Sequence, residues 1–196
     1  MPGHHRDTVT AAPMVARTSS PDGTRELAAA LAGVLAPGDI LLLVGDLGTG
    51  KTTFTQGLAR GLGVVDPVTS PTFTLLRAYR CGPGPVRTLL HADLYRLDRL
   101  QDVVDLGLPE MVDDESVAVV EWGDVASSVF GPDLLTVRLA TGPGAGDGPG
   151  GTDRAVSERS VIDRPEQDRT VTVTADGTWS GRGDALASRL APWTGA

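Results

Sequence analysis

The sequence predicts an α/β domain of three layers, a mostly parallel central sheet flanked by helices. Three observations predict it. Ile40–Val44 is a continuous apolar run without alternation, which suits a strand buried on both faces in a helix-covered parallel sheet. The glycine-rich loop Gly45-Asp46-Leu47-Gly48-Thr49-Gly50-Lys51-Thr52 follows at once. Residues 52–62 then place Phe54, Leu58 and Leu62 at four-residue intervals, the spacing of an amphipathic helix. Strand, glycine loop and helix in that order make the domain a P-loop NTPase type.

The remaining elements follow in chain order. Residues 1–20 mix Pro, Thr, Ser and the adjacent His4 and His5, and are expected to form a flexible N-terminal arm. Residues 20–24 read as a turn into a helix that carries Leu27, Leu31, Val34 and Leu35 at helical spacing and stops at Pro37-Gly38. Residues 68–75 form a polar loop that feeds a strand through Tyr79, and Cys81-Gly82-Pro83-Gly84-Pro85 is a turn. Strands are expected at 86–92, ending at Asp93, at 117–120, ending at Glu121-Trp122, and at 134–139 and 169–175. Residues 98–106 and 184–190 read as short helices, and Asp176-Gly177 as a hairpin-like turn. From 141 to 168 no apolar period exists and the segment opens on a run of Gly and Pro, so a disordered insertion is expected there. About 28 residues beyond it are too few for a second core, so 21–196 is read as one interrupted domain.

Composition narrows the function. A net charge of −8 lacks the basic footprint of a direct nucleic-acid binder and disfavours an anionic membrane surface. One cysteine, Cys81, excludes an intramolecular disulfide and a multi-cysteine metal site. No apolar run approaches the length of a membrane span, and the N-terminus lacks the apolar core of a signal peptide. A cytoplasmic protein is expected. Lys51 is the single lysine among 17 basic residues, as fits a position where a compact ammonium serves and a planar guanidinium does not.

The glycine loop satisfies G-x-x-x-x-G-K-[ST] without mismatch. Gly45 and Gly50 allow backbone conformations in which consecutive N–H groups converge on phosphate oxygens. The following helix adds its N-terminal N–H groups and the positive end of its dipole. The nucleotide contacts expected from this loop are Asp46, Leu47, Gly48, Thr49, Gly50, Lys51, Thr52 and Thr53, with Lys51 as the phosphate charge and the Thr52 hydroxyl on Mg²⁺. An acid near the metal belongs at the end of a neighbouring strand, and Glu121 and Asp93 both qualify. Arg96 and Arg169 are the arginines weighed for phosphate contact. An isolated arginine is ordinarily solvated, and Arg169 is the one included in the nucleotide set. Trp122 reads from the residues alone as a core or interface aromatic, His91 as a packed or hydrogen-bonded histidine, and Cys81 as having no catalytic role.

The ordered set Gly45 to Phe54, Thr69-Ser70-Pro71-Thr72-Phe73-Thr74-Leu75, His91-Ala92-Asp93-Leu94-Tyr95-Arg96-Leu97, Asp105-Leu106-Gly107-Leu108 and Val120-Glu121-Trp122 resembles the TsaE (YjeE) family, ATPases of bacterial tRNA threonylcarbamoyladenosine biosynthesis. The resemblance covers roughly residues 20–140 and resumes near 169. It implies a compact P-loop domain that binds ATP and Mg²⁺ and hydrolyses ATP slowly. It also implies action with TsaB and TsaD, which transfer a threonylcarbamoyl group to the adenosine beside the anticodon of certain tRNAs, so that tRNA is met only through the complex, with no membrane or DNA partner. By resemblance Lys51 serves phosphate, Thr52 and Glu121 serve Mg²⁺, Asp93 serves catalysis, 69–74 senses the γ-phosphate, and Trp122 lies close to the site. The chain departs from the family at Gly123, where Pro is common, and in the long segment 141–168.

Two other readings share the motif. A small-molecule or nucleoside kinase fits the size and the loop, but its lid needs several arginines, and the arginine-rich stretch 154–169 is also acidic, which makes it a poor lid. A regulatory module that holds nucleotide without hydrolysis leaves Glu121 and Asp93 without a purpose.

Overall fold

The computed structural model describes residues 12–97, 99–142 and 168–195. A mixed sheet of seven strands runs through its centre. The strands are β1 (Met14–Thr18), β2 (Ile40–Val44), β3 (Leu76–Arg80), β4 (Thr88–Asp93), β5 (Ser116–Glu121), β6 (Leu134–Thr141) and β7 (Arg169–Ala175), in the spatial order β1-β7-β6-β2-β5-β4-β3. The centre, β6-β2-β5-β4, is parallel, and β7 and β3 pair antiparallel at its two sides. The helices are α1 (Pro21–Ala32), α2 (Lys51–Gly61), α3 (Leu100–Asp105), α4 (Leu108–Met111) and α5 (Gly183–Thr194). None of the described helices is long and apolar enough to cross a membrane.

Period-two alternation within β2 explains the three layers. Leu41 and Leu43 pack on one face with Leu27 and Leu31 of α1, Phe54 and Leu58 of α2, and Leu186 and Leu190 of α5. Ile40 and Leu42 pack on the other face with Val103 of α3, Leu108 of α4 and Phe130. A strand with both faces buried has no polar side to present, hence its uniform apolar sequence. Each such side chain contributes about 1.5–3 kcal/mol by leaving water. The fold is the three-layer α/β arrangement expected of a P-loop NTPase.

Three expectations are corrected. The N-terminal arm does not extend to residue 20: Met14–Thr18 is β1, paired antiparallel with β7, with Ala16 and Thr18 buried. Five residues holding Arg17 are too short a pattern to separate from coil, and the strand exists because β7 offers an open edge. Ser20 then caps α1, its hydroxyl accepting from Gly23 N at 3.0 Å. Asp176-Gly177 does not turn a hairpin but leads into a 3₁₀ helix, Gly177–Arg182, and β7 pairs with β6 and β1, which precede it in the chain. The 141–168 segment begins later than expected, because Thr141 is the last residue of β6, opposite Arg169. Residues 143–167 and 1–11 lie outside the described residues.

The helix pair that carries the glycine loop is held unusually close. A Cβ on Gly57 of α2 would run into the backbone of Arg25, and one on Gly61 would lie 2.6 Å from both the Ala29 carbonyl and the Ala32 Cβ. In α2 these two glycines therefore serve helix contact. Gly57→Ala ordinarily favours a helix by about 1 kcal/mol. Here overpacking, about 1–3 kcal/mol, outweighs that gain, so the variant is expected to melt below the parent. A higher Tm in thermal unfolding would contradict the close contact.

Candidate active site

The glycine loop leaves β2 at Val44, and three of its glycines hold backbone that side chains disfavour: Gly45 at φ +147°, Gly48 at φ +85° and Gly50 at φ +103°. At Gly45 a Cβ would strike the Leu139 carbonyl of β6, so the chain can turn over the sheet edge only without a side chain. Gly50 occupies the N-cap of α2 and supplies no capping side chain. The cap residue itself thus offers the first N–H groups of the helix no acceptor, as suits an anion site. Thr49 braces the loop, its hydroxyl donating to the Asp46 carbonyl at 2.9 Å.

Lys51 is 5% exposed. Its Nζ donates to the carbonyls of Gly45 (2.6 Å) and Asp46 (2.9 Å). The ammonium also lies 3.6 Å from the centroid of the Trp122 ring, within cation–π range. The side chain thus folds back under its own loop, between two carbonyl dipoles and an aromatic face. Trp122 is left-handed, φ +63°, a conformation that costs a non-glycine residue of order 1–3 kcal/mol. Its N–H donates to Leu43 O at 2.9 Å, and its ring packs on Tyr95 with centroids 5.0 Å apart. Gly123 comes next against Leu42, whose Cβ a side chain at 123 would approach to 2.9 Å.

The parallel pairing of β4 with β5 sets Asp93 opposite Glu121. Both carboxylates are buried, 2% and 3% exposed, and they are engaged by different parts of the chain. Glu121 Oε1 accepts from the Thr52 hydroxyl at 2.9 Å and lies 2.9 Å from His91 Nε2. Asp93 Oδ2 accepts from the hydroxyls of Ser70 (2.8 Å) and Thr72 (2.5 Å), and Oδ1 from Tyr95 N (3.0 Å). One acid is tied to the start of α2, the other to the 69–74 segment. That segment is anchored again at Thr69, whose hydroxyl accepts from Arg77 at 2.7 Å, while Phe73 stands 87% exposed.

The structure therefore brings together residues that the sequence holds far apart. Asp46, Leu47, Gly48, Thr49, Gly50, Lys51, Thr52 and Thr53 form the loop and the first turn of α2, with Glu121, Trp122 and Asp93 at the ends of adjacent strands. Arg169, the buried first residue of β7, brings its Nε to 3.2 Å from where a Gly50 Cβ would stand. Arg96 instead stacks on Phe73, 4.6 Å from the ring centroid. Sequence reasoning missed the hydroxyls of Ser70 and Thr72 as partners of Asp93, and His91 as the partner of Glu121. The spacing His91-x-Asp93 on a strand carried a signal, because residues two apart share a face. Cys81 is buried beside the β3–β4 turn, and burial pushes its thiol up from the ordinary value, away from the reactive thiolate.

Comparison with known proteins agrees with this geometry. The model of the family Threonylcarbamoyl adenosine biosynthesis protein TsaE matches residues 18–144. The tRNA threonylcarbamoyladenosine biosynthesis protein TsaE of Bacillus subtilis (strain 168) is 46% identical over 123 residues, 63% of this chain and 75% of that protein. Its namesake in Streptomyces coelicolor is 42% identical over 155 residues, 78% of this chain and 90% of that protein. The crystal structure of Bacillus subtilis YdiB superposes with a TM-score of 0.63 at 30% identity, covering 92% of this chain and 95% of that one. A family match over most of the ordered sheet, with the glycine loop and both strand-end acids inside it, shows that the chain belongs to the TsaE family.

Proposed function

We propose that this protein binds ATP with Mg²⁺ and hydrolyses it slowly in the formation of threonylcarbamoyladenosine at position 37 of tRNA, acting with TsaB and TsaD. The observation that carries the reading is the Thr52–Glu121 contact at 2.9 Å, set at the mouth of a glycine cradle. A hydroxyl and a carboxylate are the hard oxygen donors that Mg²⁺ takes alongside phosphate and water, so the residues present fit the ion. Thr52 and Glu121 would hold it. When bound, it neutralises charge on the β- and γ-phosphate oxygens.

The chain's own residues supply the rest. Gly45, Gly48 and Gly50 open the backbone so that N–H groups from 46 to 53 can bind phosphate oxygens. Lys51 exchanges its hold on the Gly45 and Asp46 carbonyls for the phosphates, and Trp122 limits how far the ammonium can move. Arg169, packed against Gly50, adds a fixed positive charge to the binding side. Asp93 is assigned the catalytic role of orienting the attacking water. Ser70, Thr72 and the Tyr95 N–H hold its carboxylate in one direction beforehand, which lowers the reorganisation needed during reaction. The same hydroxyls couple the 69–74 segment to that carboxylate, which supports its reading as a γ-phosphate sensor. The reading places the protein in the cytoplasm, with tRNA met only through the partners. Its net charge of −8 gives no basic surface for gripping RNA, membrane or DNA.

Lys51→Ala is expected to lower ATP hydrolysis by about 10²–10³-fold, the usual loss for one charge-stabilising donor. Lys51→Arg should not rescue it, because a planar fork does not fit between two carbonyls and the Trp122 face. Steady-state phosphate release checks both variants, and near-parental turnover with arginine contradicts the assignment.

The two acids should separate. Glu121→Gln is expected to raise the Mg²⁺ concentration needed for nucleotide binding. Asp93→Asn should cut turnover by about 10²-fold or more, as expected for loss of a positioned catalytic group, with nucleotide affinity largely kept. Titrating nucleotide at several Mg²⁺ concentrations distinguishes them, and behaviour like the parent removes either residue from the site.

Partners are expected to stimulate turnover, because a charge supplied in trans to the transferring phosphoryl group is worth roughly 10³–10⁵. ATPase assays omitting TsaB or TsaD in turn test this, with limited proteolysis of 69–74 in ATP and in ADP. Fast turnover by the protein alone, indifferent to both partners, overturns the reading.

A further inference from the structure

His91 lies in the middle of the sheet with no exposure to solvent. It stands on β4 opposite Val119 of β5, two residue pairs before Asp93–Glu121 in the parallel register. Tyr79 covers its ring from β3, with centroids 6.5 Å apart. Of its two nitrogens, Nε2 meets Glu121 Oε1 at 2.9 Å, while Nδ1 has no hydrogen-bond partner among the described residues. Burying an imidazole with one nitrogen unsatisfied opposes folding, and an apolar side chain of similar size fills the same space without that penalty. The gain from a histidine here is therefore the contact with Glu121. Its geometry fixes the direction of the bond. A carboxylate oxygen accepts, so Nε2 donates.

We infer that His91 is a positioning residue for the metal-binding carboxylate: from Nε2 it pins Glu121 Oε1 and so holds the carboxylate toward Thr52. The inference rests on the reading of Glu121 as a Mg²⁺ ligand. Oε1 then has two donors, Thr52 at 2.9 Å and His91, whereas the Thr52 hydroxyl lies farther from Oε2, at 3.3 Å. A carboxylate anchored through one oxygen loses less rotational freedom when the ion arrives. Partners that orient ligands in this way are commonly worth 10–100-fold in metal affinity. His91 touches neither nucleotide nor metal in this arrangement, and its effect passes through Glu121 alone.

The experiment is calorimetric titration of ADP into the full-length protein at stepped Mg²⁺ concentrations, which reads binding and not turnover. His91→Leu is expected to raise the half-saturating Mg²⁺ by about 10–100-fold. His91→Gln, whose amide nitrogen can stand where Nε2 stands, should restore most of that loss. His91→Asn, one methylene shorter, should not. In a Glu121→Gln background His91→Leu should add nothing. Should the leucine variant fail to fold, the Gln and Asn pair carries the same comparison. A parental Mg²⁺ requirement in His91→Leu, equal behaviour of Gln and Asn, or an undiminished effect of His91→Leu beside Glu121→Gln overturns the positioning role. If the parent protein shows no Mg²⁺ dependence of ADP binding, both this inference and the reading of Glu121 fall. If the parent depends on Mg²⁺ and Glu121→Gln abolishes that dependence while His91→Leu keeps it, only the role of His91 falls.

Discussion

The hydrogen bond from the Thr52 hydroxyl to Glu121 joins the first turn of α2 to the carboxyl end of β5. Its 2.9 Å length requires α2 to sit down on the sheet at one height and one rotation. Phe54 and Leu58 set the rotation by entering the core beside Leu41 and Leu43. Gly57 and Gly61 set its place beside α1, letting the two helices approach to backbone contact. If that contact loosens, the hydroxyl leaves the carboxylate and the glycine loop loses its fixed relation to both acids. Packing far from the loop is thus part of the site's precision.

The loop itself stores strain at defined places. Gly45 passes over β6 where no Cβ fits, and Trp122 accepts a left-handed backbone just beyond Glu121. Because of that backbone the indole lies beneath the Lys51 ammonium and beside Tyr95. A buried ammonium needs acceptors, and two loop carbonyls and an aromatic face provide them. The loop therefore keeps a compact shape around its own lysine. Phosphate oxygens are stronger acceptors than peptide carbonyls, so an incoming nucleotide can take the ammonium over without leaving it unpaired.

An ion pair closes the domain at its other end. Arg182, in the 3₁₀ helix before α5, makes a bidentate contact with Asp39 at 2.6 and 2.7 Å and stacks on the buried Trp179, 3.5 Å from the ring centroid. Asp39 directly precedes β2, and its carboxylate also accepts from Ala36 N. The C-terminal segment is thereby tied to the entry of the strand that leads into the glycine loop. β7 is held between β6 and β1, with Arg169 at the loop. The last thirty or so residues of the chain thus belong to the same core as the motif, as small domains require.

Strand, glycine loop and helix were legible in the residues because each is a local property. An unbroken apolar run, a glycine spacing and a four-residue period are set by backbone geometry within about a dozen positions. Gly45, Gly50, Lys51 and Thr52 could be named on that basis, and Glu121 and Asp93 could be named as strand-end acids. Their partners could not. That Glu121 meets Thr52 and His91, while Asp93 meets Ser70 and Thr72, follows from which strand lies beside which and in what register. The order β1-β7-β6-β2-β5-β4-β3 appears in no local window. The short strand β1 has too few residues to show a period, and it forms only because β7 leaves an edge unpaired. Arg169 could be named as a candidate, but its neighbour could not: the pairing of β6 with β7 carries it to Gly50. Local sequence determined the shape of the phosphate loop, and the tertiary structure decided which side chains surround it, because hydrogen bonds between distant residues form only after the sheet's register has brought them within reach.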